Sequence, residues 1–194
     1  MNWNEFASSR MIPPMIIGHE FSGEVVEKGE LVSQIQIGDA VSAETHIVCH
    51  TCDVCHNGQE HVCPHTRTIG LSRDGALAEY ACIPAENAVV FKKFANWEVL
   101  SLMEPFVAAV HAATQFPVAG KSVVVIGCGP MGAMGASVAK KCGAAKVIAI
   151  EPVSDRGKKA LEMGADVLIN PIEEEVSKAV PMANDGNLID VVLD

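Results

Sequence analysis

Cys49, Cys52, Cys55 and Cys63 follow a C-x2-C-x2-C-x7-C spacing on a short stretch punctuated by Gly58. Four thiolates this close in sequence can converge on one tetrahedral metal ion, zinc above all, with bonds of about 2.3 Å. Such a site is closed and structural, because no coordination position is left for a substrate. Four unpaired thiols are the alternative, but exposed free thiols are an oxidation liability. A nucleic-acid-binding zinc ribbon is the other rival; Asp53, Glu60 and the scarcity of Lys and Arg nearby offer it no phosphate-binding face. His46, His50, His56, His61 and His65 flank the cysteines and, with four thiolates available, are expected to be solvated loop residues. Cys82, Cys128 and Cys142 are expected to be small apolar packing residues.

A second constellation is Gly127-Cys128-Gly129-Pro130-Met131-Gly132, a G-x-G-x-x-G turn preceded by the β-branched run Val123-Val124-Val125-Ile126. Alone the motif is weak, since a glycine-rich turn can bind nothing. After a buried strand and before a helix it fits dinucleotide binding. Gly127 then serves the tight turn, Gly129 the close approach of backbone to a pyrophosphate, and Gly132 the packing of helix on strand. Pro130 falls at the helix start, where its missing N–H costs nothing, and the phosphates rest on the helix N-terminus. The next apolar strand, 146–150, ends in Glu151 about 20 residues past the glycines. An acid there is placed to accept from an adenosine ribose, which favours NAD over NADP.

A third group is Gly18-His19-Glu20 together with Glu104-Pro105. The residue before a proline avoids helical geometry, so Glu104 is expected at a break between two helical segments within 97–116, free to point into a cleft. His19 and Glu20 by themselves could equally be a satisfied pair on a strand.

The elements that position these groups are of two kinds. Residues 18–27, led into by 15–17, and 40–42 read as short strands of a small antiparallel barrel. Asp74-Gly75 reads as a hairpin signal ahead of an alternating strand over 76–84. From 121 onward, strands at 122–127, 146–150, 166–169 and 188–193 alternate with helices, a β-α-β-α-β-α-β order that implies right-handed parallel crossovers. The boundary is expected near 117, with domains over 1–117 and 118–194.

Composition narrows the classes. With 194 residues, 49% of them hydrophobic, the chain can bury a real core in one or two domains. A net charge of −10 without any basic run argues against nucleic acid, and no apolar stretch approaches the roughly 18 residues of a membrane span. The N-terminus lacks the basic and apolar regions of a signal peptide, so the cytoplasm is the expected compartment. Seven cysteines are an odd number for a disulfide framework, and metal binding suits them better.

Taken together, the G-H-E box, the four-cysteine lobe, the D-G-x-x-A-E-Y run at 74–80, Glu104-Pro105 and the glycine turn resemble the zinc-dependent medium-chain dehydrogenases, the alcohol dehydrogenase superfamily. Within it, Asn2-Trp3-Asn4-Glu5-Phe6, Glu44-x-His46-Ile47-x-Cys49, Pro105-Phe106 and Val110-His111 are similar to the branch that oxidises L-threonine. The resemblance implies an α/β architecture, a GroES-like β-barrel catalytic domain followed by a Rossmann doubly wound parallel sheet, both partial. It implies a small alcohol as substrate and NAD as acceptor, with polyol or butanediol oxidation as the alternative and a non-catalytic zinc-binding module as the alternative of another class. It also implies a second, catalytic zinc. Carried over by position, His19 is a ligand, Glu20 a ligand or adjacent carboxylate, and Glu104 a carboxylate that exchanges with water or substrate. Met131 and Arg156 join Glu151 around the adenosine.

The sequence departs from the family pattern at both ends. The catalytic cysteine and its proton relay belong in a segment ahead of Asn2, and the sheet reaches only a fourth strand where about six are usual. The expectation is an internal part of a longer enzyme, a homo-oligomer by family habit, in which these 194 residues alone lack turnover. A sheet ended there leaves unpaired backbone and uncovered apolar surface.

Overall fold

The computed structural model describes residues 11–92 and 96–194; the run at 2–6 lies outside the described residues. Two compact units divide between Glu104 and Pro105. The boundary expected at 117–118 falls between the helix ending at Thr114 and the strand beginning at Ser122.

In the first unit β1 (Gly23–Glu24), β2 (Ala40–Ala43) and β5 (Ala88–Phe91) form an antiparallel sheet with β2 central. All four β2 residues are buried, and the one hydroxyl among them is satisfied because Ser42 Oγ donates to Phe21 O at 2.8 Å. A second antiparallel pair, β3 (His46–Ile47) and β4 (Arg67–Thr68), brackets the cysteine stretch, which carries the one-turn helix α1 (Asp53–His56). The strand expected over 76–84 does not form. Ala76 and Leu77 N–H groups bond to Gly18 O and Ile17 O, no strand pairs with 78–84 among the described residues, and Leu77 and Tyr80 are exposed.

The helical region is α2 (Trp97–Ser101), capped by Asn96 Oδ1 accepting from Val99 N, and α3 (Met103–Thr114). The interruption falls at Leu102, ahead of where the proline placed it. Glu104 is the second residue of α3 and Pro105 the third. First-turn amides have no partner within the helix, so a proline there removes nothing and its usual bar on a helical neighbour is overcome.

The second unit is a parallel sheet in the order β8-β7-β6-β9, from β6 (Ser122–Ile126), β7 (Lys146–Ile150), β8 (Val167–Ile169) and β9 (Val191–Leu193). Its helices are α4 (Pro130–Lys141), α5 (Ser154–Met163) and α6 (Val176–Ala183). The unbroken apolar runs of β6 and β7 are explained by cover on both faces. Val123, Val125, Val147 and Ala149 pack with Ala136, Ala139 and Ala160 of α4 and α5, while Val124, Ile148, Ile150 and Ile169 pack with Val176, Ala179, Val180 and Ala183 of α6. Each fully buried large aliphatic side chain contributes about 1.5–3 kcal/mol, so these two clusters make the sheet the firm floor under the glycine turn. Among the described residues no helix is long and apolar enough to cross a membrane.

Candidate functional site

The four cysteines converge. Cys52 is the N-cap of α1 and Cys55 lies on it; Gly58, at φ +73°, turns the chain back through a 3-10 turn at Glu60–Val62 to Cys63. Sγ separations are 3.5 Å for Cys52–Cys55, 3.6 Å for Cys49–Cys63 and 3.9 Å for Cys52–Cys63. Sulfurs held at about 2.3 Å from one tetrahedral ion stand about 3.8 Å apart, so the lobe has the dimensions of a zinc site. The thiol chemistry agrees. The backbone N–H of Thr51, then its side chain, draws the Cys49 pKa down to about 5, while burial and then the sulfurs of Cys52 and Cys63 push Cys55 up to about 12. Neighbours driven in opposite directions are groups that cannot all be anionic side by side, and a divalent cation removes that conflict.

The five histidines are all exposed and outside this group. His46 Nδ1 lies 2.7 Å from Glu44 Oε1, and His50 stands between Glu60 at 3.1 Å and Glu86 at 3.3 Å. Cys128 is buried as expected, but Cys82 and Cys142 are exposed: one lies on the unpaired 78–84 stretch and the other is the C-cap of α4.

His19, Glu20 and Glu104 also come together, with their ligand atoms all within 4.8 Å of one another. His19 and Glu104 are half-buried and Glu20 is exposed. An imidazole and two carboxylates are a hard-to-borderline donor set suited to a divalent ion that keeps an open position. The backbone that presents them is stitched on both sides. Ser22 Oγ donates to Trp97 O at 2.7 Å, tying the segment after Glu20 to the start of α2. Upstream, Gly75 N donates to Ile16 O at 2.8 Å and Ile16 N to Asp74 Oδ1 at 2.9 Å. Asp74-Gly75 is thus a brace against the extended segment that carries His19 rather than a hairpin, a role invisible without the long-range partner.

At the glycine turn Gly127 has φ +79° and its N–H donates to Ile150 O at 2.9 Å. Gly129 is the N-cap of α4, Pro130 its first residue, and no atom lies within 4 Å of where a Gly129 Cβ would stand. A Cβ on Gly132 would fall 1.9 Å from Gly127 O, so the helix sits against the turn only because that position is glycine. Glu151 is 4% exposed and faces the turn: Oε2 accepts from Cys128 N at 2.7 Å and Oε1 from Val153 N at 2.8 Å. Burial, and after it the charge of Glu151, raises the Cys128 thiol pKa. Met131 and Arg156 are exposed near the starts of α4 and α5.

Comparison with known proteins agrees with both units. The alcohol dehydrogenase GroES-like domain model matches residues 2–93 and the zinc-binding dehydrogenase model residues 130–194. An L-threonine 3-dehydrogenase of Caldanaerobacter subterraneus subsp. tengcongensis is 47% identical over 99% of this chain and 55% of its own, and one of Pyrococcus abyssi is 48% identical over the same shares. This chain therefore spans about half the length of the curated relatives it matches. Among solved structures, a target from Sinorhizobium meliloti 1021 assigned to the zinc-binding dehydrogenases and bound to NADP superposes with TM-score 0.90 at 30% identity, covering 94% of this chain and 54% of that one. Galactitol-1-phosphate dehydrogenase from Escherichia coli gives TM-score 0.88 at 28% identity, covering 96% and 54%. With both of its units matched in order and its glycine turn and cysteine lobe formed, the chain belongs to the zinc-dependent medium-chain dehydrogenases, the alcohol dehydrogenase superfamily.

Proposed function

We propose that this chain is part of an NAD-dependent zinc dehydrogenase that oxidises the secondary alcohol of L-threonine. The observation that carries the reading is the convergence of His19, Glu20 and Glu104 in a chain that also builds a glycine turn and a separate four-cysteine lobe. The substrate rests on the relatives of 47–48% identity that bear that name.

When bound, zinc would supply Lewis-acid chemistry, lowering the pKa of a substrate hydroxyl ahead of hydride transfer to the nicotinamide. His19 would hold that ion, with Glu104 as the carboxylate that yields to water or substrate and Glu20 as a third ligand or a charge beside it. Cys49, Cys52, Cys55 and Cys63 would hold the structural ion. Gly127, Gly129, Pro130 and Gly132 would seat the pyrophosphate at the positive end of α4. Each Glu151 oxygen accepts one backbone N–H and retains acceptor capacity for a ribose hydroxyl, while its negative charge repels a 2′-phosphate. Met131 and Arg156 would flank the adenosine. A cytoplasmic, homo-oligomeric enzyme fits this reading.

A polyol as hydride donor is the second reading, favoured by the match to galactitol-1-phosphate dehydrogenase at 28% identity. The test is NADH formation by the natural enzyme with L-threonine, a polyol and butanediol, run beside its zinc content. Preference for L-threonine with two zinc ions per subunit is expected. Preference for the polyol moves the substrate assignment, and one zinc ion with no turnover overturns the dehydrogenase reading for a non-catalytic zinc-binding module.

A further inference from the structure

Gly70 and Gly75 meet Gly18, the residue before His19, from more than fifty positions along the chain. A Cβ built on Gly75 would stand 2.1 Å from Gly18 O, 2.6 Å from Gly70 Cα and 2.8 Å from Ile17 C. A Cβ on Gly70 would stand 2.3 Å from Gly18 O and 2.7 Å from Gly18 C. In both cases the obstacle is backbone, which cannot swing aside as a side-chain tip can. Here the 70–77 segment lies directly on the residue before His19. It is fastened there by Gly75 N to Ile16 O, Ala76 N to Gly18 O at 2.9 Å, Leu77 N to Ile17 O at 3.0 Å and the Asp74 carboxylate on Ile16 N.

We infer that Gly70, Asp74 and Gly75 are positioning residues for the metal ligands His19 and Glu20. The inference rests on the metal site proposed above. Real Cβ atoms essentially never come within 3.0 Å of another heavy atom, so a methyl at Gly75 forces the Gly18 carbonyl, or its own segment, back by 0.9 Å from the present 2.1 Å. Metal–ligand bonds tolerate only about 0.2 Å. The displacement starts one residue from His19, whereas the cysteine lobe is held by its own turns at 52–63. The two metal sites therefore respond differently to the same substitution.

Gly75 has an ordinary φ, so Gly75→Ala tests the contact alone, whereas alanine at Gly70, at φ +74°, would add backbone strain. Gly23→Ala is the control, since nothing lies within 4 Å of that Cβ. The measurement is zinc content per chain with, in parallel, the spectrum of the cobalt-loaded protein, in which the four-thiolate site is distinguished by the far greater intensity of its sulfur-to-metal charge-transfer band. The parent and Gly23→Ala should hold two ions. Gly75→Ala should hold one, with the charge-transfer band intact. Two ions in Gly75→Ala at parental affinity overturn the inference. A parent holding one ion, bound by four thiolates, instead sinks the reading of the metal site beneath it. If Gly75→Ala loses both ions by failing to fold, Asp74→Ala decides. It removes one hydrogen bond from the brace, and the change in metal affinity of about 10- to 100-fold seen for direct partners of ligands sets the upper bound on the effect. Weaker cobalt binding at the second site alone upholds the inference, and unchanged binding there overturns it.

Discussion

Replacing Glu151 by Gln tests how the glycine turn after β6 is held. The carboxylate receives two backbone N–H groups, one on each oxygen, Cys128 at 2.7 Å and Val153 at 2.8 Å, and is 4% exposed. A glutamine amide offers one oxygen and one NH2, so whichever way it is flipped one of those N–H groups faces a donor. A buried backbone donor left without an acceptor costs about 1–3 kcal/mol, and the bond that survives loses its charge assistance. We therefore expect a loss of about 2 kcal/mol, which is roughly a 30-fold change in a local opening equilibrium. Native-state hydrogen exchange reads it directly: the Cys128 and Val153 amides should exchange roughly 30-fold faster in Glu151→Gln. Core amides of β7 such as Ile148, which bond only within the sheet, should change by less. If Cys128 and Val153 exchange at the parental rate, the carboxylate is not what holds the turn and the argument fails.

Thr45 Oγ1 is buried with no hydrogen-bond partner among the described residues, in a residue of 0% exposure, so Thr45→Val should leave stability unchanged or raise it by up to about 1 kcal/mol, read from the urea midpoint; a loss above that would show the hydroxyl to be satisfied. Asp190 accepts from Ser122 N and Ser122 Oγ at 2.8 Å each, and the backbone N–H first, then the hydroxyl, holds its carboxyl below the ordinary 3.8. A depressed folded value means the stabilisation is whole above about pH 4 and disappears as pH falls through the folded value. Asp190→Asn should therefore be less stable at neutral pH and converge with the parent in acid, as urea midpoints against pH will check. Cys63→Ser should remove one zinc ion per chain by metal analysis and lower the melting temperature, because the remaining three sulfurs keep a coordination gap; full zinc content would refute the four-sulfur site.

Much of the nucleotide half could be read from the residues because its signals are local. Val123 to Ile126 had to be a strand covered on both faces, and the glycine turn had to follow it; both are where the pattern put them. The cysteine lobe was equally plain, since its spacing leaves little choice of partner. The barrel half was harder. The alternation at 76–84 suggested a strand, but a strand needs a neighbour, and that depends on chain brought from elsewhere. Glu104 was expected at a helix break because of Pro105, yet proline acts differently in a first turn than in a helix interior. Gly75 looked like a turn residue, and its contact with Gly18 O appears only when residues 57 positions apart are brought together. Glu151 illustrates the same limit at atomic scale: its type and place were legible, while its grip on Cys128 N and Val153 N was not.

The strand order β8-β7-β6-β9 has a consequence for specificity. Successive crossovers build outward from β6 in one direction as far as β8, then the chain returns to lay β9 on the other side, with Leu193 opposite Val125. Ligands of open parallel sheets settle where the winding reverses, at the carboxyl ends of the strands flanking the reversal. One bank of that channel is written by the glycines after Ile126; the other is written by whatever side chains follow Val191 and Val192. Two enzymes could share every glycine of the turn and still grip different molecules, because the opposite bank is recruited by topology and is free to vary.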